Sequence, residues 1–100
     1  MRLAFTLLFL CATQAHPQEH SFKPQAGFVP NEATAVAIAE AVLKPIYGAP
    51  SIERQRPFKA TLEDGKWRVQ GSLPSSHLGG VAEAWIAADD GRVLRVTHGQ

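Results

Sequence analysis

Ser75, Ser76 and His77 set two hydroxyls beside an imidazole, the raw material of nucleophilic catalysis. Neighbours along a loop seldom reach the geometry of a nucleophile and its base, and no third group is at hand to orient the imidazole. Asp89 and Asp90 pair two carboxylates, but with Gly91 they form a turn whose own chemistry accounts for them. His16 and His20 offer two imidazoles without a third ligand at a usable spacing, and His98 reads as a strand-end residue. The chain has no Gly-rich phosphate loop, no Gly-x-Ser-x-Gly elbow and no His-Glu-x-x-His. These residues imply no catalytic set, no metal site and no cofactor. What remains is the chemistry of a binding surface. Trp85 and Arg95 are of the types that anchor interfaces. Glu83 stands two residues from Trp85, and His77 lies in the loop that leads to this strand. These four are the candidate partner-binding residues. Trp85 has a second reading, in which it packs under the 74–80 loop or the linker, with Arg95 stacked on its ring.

The elements that must position these residues begin with one helix, over Asn31–Gly48. Asn31 suits an N-cap and Glu32 suits the positive end of the helix dipole. Ala35, Ile38, Ala39, Val42 and Ile46 recur at three- and four-residue spacing and should form the buried face. Glu40 and Lys44 should pair on the wet side. Pro45 should bend or end the helix near Lys44, Gly48 should cap it in a left-handed conformation, and Pro50 should block its continuation. Ser51 then caps one short turn before Pro57 extends the chain.

Two hairpins follow. Phe58, Ala60 and Leu62 alternate with polar residues, as do Trp67, Val69 and Gly71, around an Asp64-Gly65 two-residue turn. That register pairs Leu62 with Trp67, Ala60 with Val69, Phe58 with Gly71 and Glu63 with Lys66. The second hairpin turns at Asp89–Gly91. A three-residue loop with Gly91 left-handed pairs Ile86 with Leu94 and Ala84 with Val96, giving one apolar face. It puts Trp85 opposite Arg95 and Glu83 opposite Thr97 on the other face. The expected fold is α+β: one main N-terminal helix packed on a four-stranded antiparallel β-meander.

Composition sets the bounds. Met1-Arg2 followed by the apolar run Leu3–Cys11 and the small residues near Ala15 has the layout of a secretory signal peptide. The expected division is a signal peptide over 1–15, a flexible linker over 16–28 and a domain over 29–100. The apolar run is too short to span a bilayer, so the mature chain should carry no transmembrane segment and the product should be periplasmic or secreted. Lipidation at Cys11 is disfavoured by the bulky Leu10 before it. The chain has ten Lys+Arg and nine Asp+Glu. Loss of Arg2 with the leader leaves nine of each, interspersed, with none of the basic striping of a nucleic-acid binder. A domain of about 70 residues buries a modest core, which favours support from a partner or a homodimer.

Several segments together resemble a known family. These are AEAVLKPIYG (39–48), SIERQRPFKATLEDGKWRVQGSLP (51–74), LGGVAEAWI (78–86) and DGRVLRVTHGQ (90–100). They resemble bacterial immunity proteins of the nuclear transport factor 2 fold, a cystatin-like α+β cone, over about Val29–Gln100. The resemblance implies a non-enzymatic protein that neutralises a cognate toxin by binding it, and it supplies no active residues. A second reading is a periplasmic small-ligand or peptide-binding module of cystatin-like fold. A core filled by Trp67, Phe58 and Leu62 would argue against that pocket.

Overall fold

The structure, a computed structural model, describes residues 20–73 and 79–99. Helix α1 spans Glu32–Tyr47 and a short helix α2 spans Ala49–Arg54. Strands β1 (Lys59–Glu63), β2 (Lys66–Gln70), β3 (Ala82–Ala87) and β4 (Val93–His98) follow. They form one antiparallel sheet in the order β1-β2-β3-β4, the expected meander with the main helix on one side.

Asn31 caps α1 as its type suggests, its side-chain oxygen accepting from the Thr34 amide at 2.9 Å. Five alanines (33, 35, 37, 39 and 41) favour the helix and keep its profile thin. The buried stripe is Ala35, Ala39 and Leu43. It continues at the same four-residue step to Tyr47, whose ring lies 5.0 Å from that of His98. Ile46, expected on this stripe, is 54% exposed, because it stands one residue off the row that meets the sheet. Pro45 lies inside the helix, in its last turn, where the single bond withheld from Ala41 is tolerated. The helix therefore runs past Lys44, and Gly48, at φ +89, donates its amide to the Lys44 carbonyl at 2.8 Å.

Pro50 does not stop helical structure; it occupies the first turn of α2, where its missing N–H costs nothing. Helix α2 has no side-chain cap, so Ser51 does not serve as one. It folds back on α1 through its buried Ile52 and a Lys44–Glu53 ion pair of 3.8 Å. The expected Glu40–Lys44 pair is thereby replaced. Each partner finds a residue further along the chain, and Glu40 takes Arg56 at 2.6 Å.

The first hairpin has the expected register, with Ala60↔Val69, Leu62↔Trp67 and Glu63↔Lys66. Asp64 and Gly65, at φ +48 and +73, supply the two left-handed residues of its turn. Phe58 covers Gly71, where an added Cβ would sit 3.2 Å from the ring. Trp67 and Phe58 are buried and fill the space between helix and sheet. Leu62 is 54% exposed, since it is the penultimate residue of an edge strand, close to the turn. Two of the three core residues that would argue against a ligand pocket are thus in place. On the outer margin of β1 the Glu32 carboxylate accepts from the Ala60 amide at 3.3 Å.

The second hairpin departs from the expected register at one point. Ala84↔Val96, Glu83↔Thr97 and Trp85↔Arg95 stand as expected, but Ile86 pairs with Val93 and not with Leu94. Leu94 is the extra residue of a β-bulge. The cause is Ala88, which other segments remove from the ladder. Its carbonyl accepts from Val29 at 3.0 Å and its amide donates to Gly65 at 2.9 Å. The turn consequently closes one residue earlier, at Ala87 and Arg92, and Gly91 keeps its left-handed φ of +78.

Residues 23–29 lie along this turn. Lys23 pairs with Asp89, Phe28 donates to the Asp89 carbonyl, and Gly27 (φ +94) passes so close that a Cβ would stand 2.2 Å from the Ala88 oxygen. Val29 is buried, and its carbonyl accepts from the Trp67 indole at 2.7 Å.

Candidate functional site

The helix covers one face of the sheet, and the strand pairing fixes what stands on the other. Alternation along each strand brings Thr61, Arg68, Trp85 and Arg95 into one row across all four strands. The neighbouring row holds Lys59, Gln70, Glu83 and Thr97. Of the four residues singled out in the sequence, Trp85, Arg95 and Glu83 are brought together here. His77 lies outside the described residues.

Glu83 is the hub of this face. One carboxylate oxygen accepts from Arg68 Nε at 2.6 Å; the other accepts from the Trp85 indole at 3.2 Å and from the Thr97 hydroxyl at 3.5 Å. Burial by itself would raise the carboxyl pKa, but the Arg68 bond, the Trp85 bond, the Arg68 charge and the Thr97 bond outweigh it, and the pKa falls below its ordinary value of 4.5. Glu83 is therefore held ionised and inward-turned. It orients its neighbours more than it offers itself to another molecule.

Arg68 lies over the Trp85 ring with its guanidinium carbon 5.5 Å from the centroid. The cation on the indole is thus Arg68, from β2, in place of Arg95, from β4. Sequence reasoning missed Arg68 because the pairing of β2 with β3 is set by tertiary structure, across a loop of unknown register. With that register, Arg68↔Trp85, the contact follows at once.

Arg95 is exposed and makes no ion pair among the described residues. Together with Lys66, Trp85 and Leu94 it lines an open depression of ≈ 340 Å³. Leu94 reaches this face because of the bulge. A regular ladder would have sent it to the helix side. Among the described residues no three His, Cys, Asp or Glu side chains are grouped to hold a metal ion. None of the helices formed by those residues is long and apolar enough to cross a membrane.

Gln55 is a second residue the sequence did not single out. It is the one buried polar side chain among the described residues, and it ties α2 to the sheet. Its Oε1 accepts from the Ala82 amide at 2.7 Å, its Nε2 faces His98 Nε2 at 3.3 Å, and its carbonyl accepts from Ser72 at 2.6 Å.

Comparison with known proteins adds to this geometry. The chain is 36% identical over 73 residues to the uncharacterized protein YhhH of Escherichia coli K12, covering 72% of this chain. It spans 58% of the length of that relative. No solved structure matches. A family model described as NTF2 fold immunity protein matches residues 34–100, from the first turn of α1 through the last strand. With two thirds of its length under that match and the helix-on-meander topology in place, the chain belongs to the NTF2 fold immunity proteins.

Proposed function

We propose that this protein protects its bacterium by binding a toxin and covering the toxin's working surface, without turnover of its own. The observation that carries this reading is the open face of the sheet in a chain of an immunity family. A half-buried tryptophan stands at its centre, braced by Arg68 and Glu83 and flanked by the exposed Arg95. Nothing in the bracing network needs a partner for its own stability, yet it fixes an aromatic anchor in one orientation. Anchors held this way lose little entropy on binding. Trp85 and Arg95 are the contact residues in this proposal, and Glu83 positions Trp85. Export, read from the charged start and apolar run of residues 1–15, would put the encounter outside the cytoplasm.

The test is protection. Cells producing a candidate toxin, sought first among the products of neighbouring genes, should survive when this protein is co-produced, and the purified pair should form a complex. Trp85→Ala should weaken that complex by about 2 kcal/mol or more while the thermal melting point stays within a few degrees of the parent. Full affinity in the Trp85→Ala variant would remove the open face as the site. Absence of protection by the unmodified protein would remove the immunity role.

A further inference from the structure

The occupant of the open face can be specified by charge. Lys59, Lys66, Arg68 and Arg95 stand on this face against Glu63 and Glu83. The strongest acid–base contact, Arg68–Glu83, satisfies the face internally and leaves no carboxylate in the depression. Its four lining residues are two cations and two apolar groups: Lys66 and Arg95, Trp85 and Leu94. Neither cation makes an ion pair among the described residues. Arg95 presents a planar fork suited to a carboxylate, and Lys66 adds a mobile point charge. An apolar side chain would lie between them on the indole and on Leu94.

Building on the immunity reading above, we propose that this face receives an acidic segment of the partner protein. In that segment a carboxylate engages Arg95 and Lys66, and an adjacent aliphatic or aromatic residue fills the hollow between Trp85 and Leu94. A basic or neutral epitope would leave both cations desolvated without compensation. The Leu94 bulge is what makes this specific. It converts a flat ladder into a hollow with an apolar wall beside a charged one.

The probes are two synthetic peptides, one carrying Glu and Asp around a single Leu, the other its Lys counterpart. The readout is the ¹⁵N-labelled protein, whose two tryptophans give two indole N–H signals. The acidic peptide should shift the Trp85 indole and the Arg95 amide and leave the buried Trp67 indole in place. Its affinity should fall about tenfold or more in the double variant Lys66→Glu/Arg95→Glu, and should weaken as salt rises and screens the pair. Arg95→Lys, which keeps charge and loses the fork, should fall between. An equal response to both peptides, a response confined to other residues, or no response at all overturns the proposal. So does light scattering that shows a dimer whose assembly itself shifts the Trp85 indole, since the occupant would then be a second copy. With a toxin in hand, neutralisation that ignores the charge reversal but is lost in Trp85→Ala overturns the acidic epitope alone. Failure of protection by the unmodified protein overturns the immunity reading instead.

Discussion

Glu83 shows how a surface carboxylate can serve the fold and the face together. Its pKa is depressed in the folded chain, so the unfolded chain binds its proton more tightly. Its contribution to stability is therefore complete above the ordinary glutamate pKa and is lost as pH falls through the lower folded-state value. Melting temperature measured from neutral pH downward should stay level to about pH 5 and then fall, with Glu83→Gln removing part of that fall. The Trp85 fluorescence should change over the same acid range as its indole loses its acceptor. At this scale the sequence was generous with residue types and poor with partners. Trp85, Arg95 and Glu83 were legible from alternation within one hairpin. Arg68 and Gln55 were not, because each acts on a residue 15 or more positions away, through a register or a helix docking that no local spacing encodes.

Helix α1 shows a different kind of legibility. Its cap and its small-residue character follow from composition, whereas its rotation does not, nor does its run past Pro45 to Tyr47. Period alone allows the apolar stripe to be centred on Ile38, Val42 and Ile46 or on Ala35, Ala39 and Leu43, because both rows are apolar. The sheet selects the second, since alanine admits the closest approach. The two rows separate by experiment. Leu43→Ala, at 0% exposure, should cost about 2–5 kcal/mol in urea unfolding. Ile46→Ala, at 54% exposure, should cost well under about 1 kcal/mol. Equal costs would mean that the helix is rotated from the position described. The hairpins were legible almost to the residue, because an Asp-Gly turn and strict alternation fix register together. The exception, the slip at Leu94, has its origin in the segment at Val29, which claims Ala88 from outside the hairpin.

For the molecule as a whole, the architecture was readable because helix period and strand alternation occupy separate parts of the chain. The occupant of the open face in the proposed role was not, since the sequence of a toxin would be held in another gene. Processing is testable at this scale. Intact-mass measurement of the protein recovered from the periplasm of a bacterial host should give a chain beginning at His16, after the apolar run Leu3–Cys11 is removed. Recovery of a species retaining Met1 would show that this run is kept. No cysteine remains after that cut, so the melting point of the recovered protein should be indifferent to reducing agent.

The contact between Glu32 and the Ala60 amide has a consequence for crowded conditions. β1 is a free margin of the sheet, and Ala60 is one of the donors that such a margin would present to a strand from another molecule. The carboxylate that opens the helix already sits on that donor, and Lys59 and Glu63 place opposite charges at the two ends of the same strand. An incoming strand would have to dislodge an acid that the helix dipole also holds. A single side chain thus opens the helix and occupies one donor of this margin, a contact that any strand adding to β1 would have to displace.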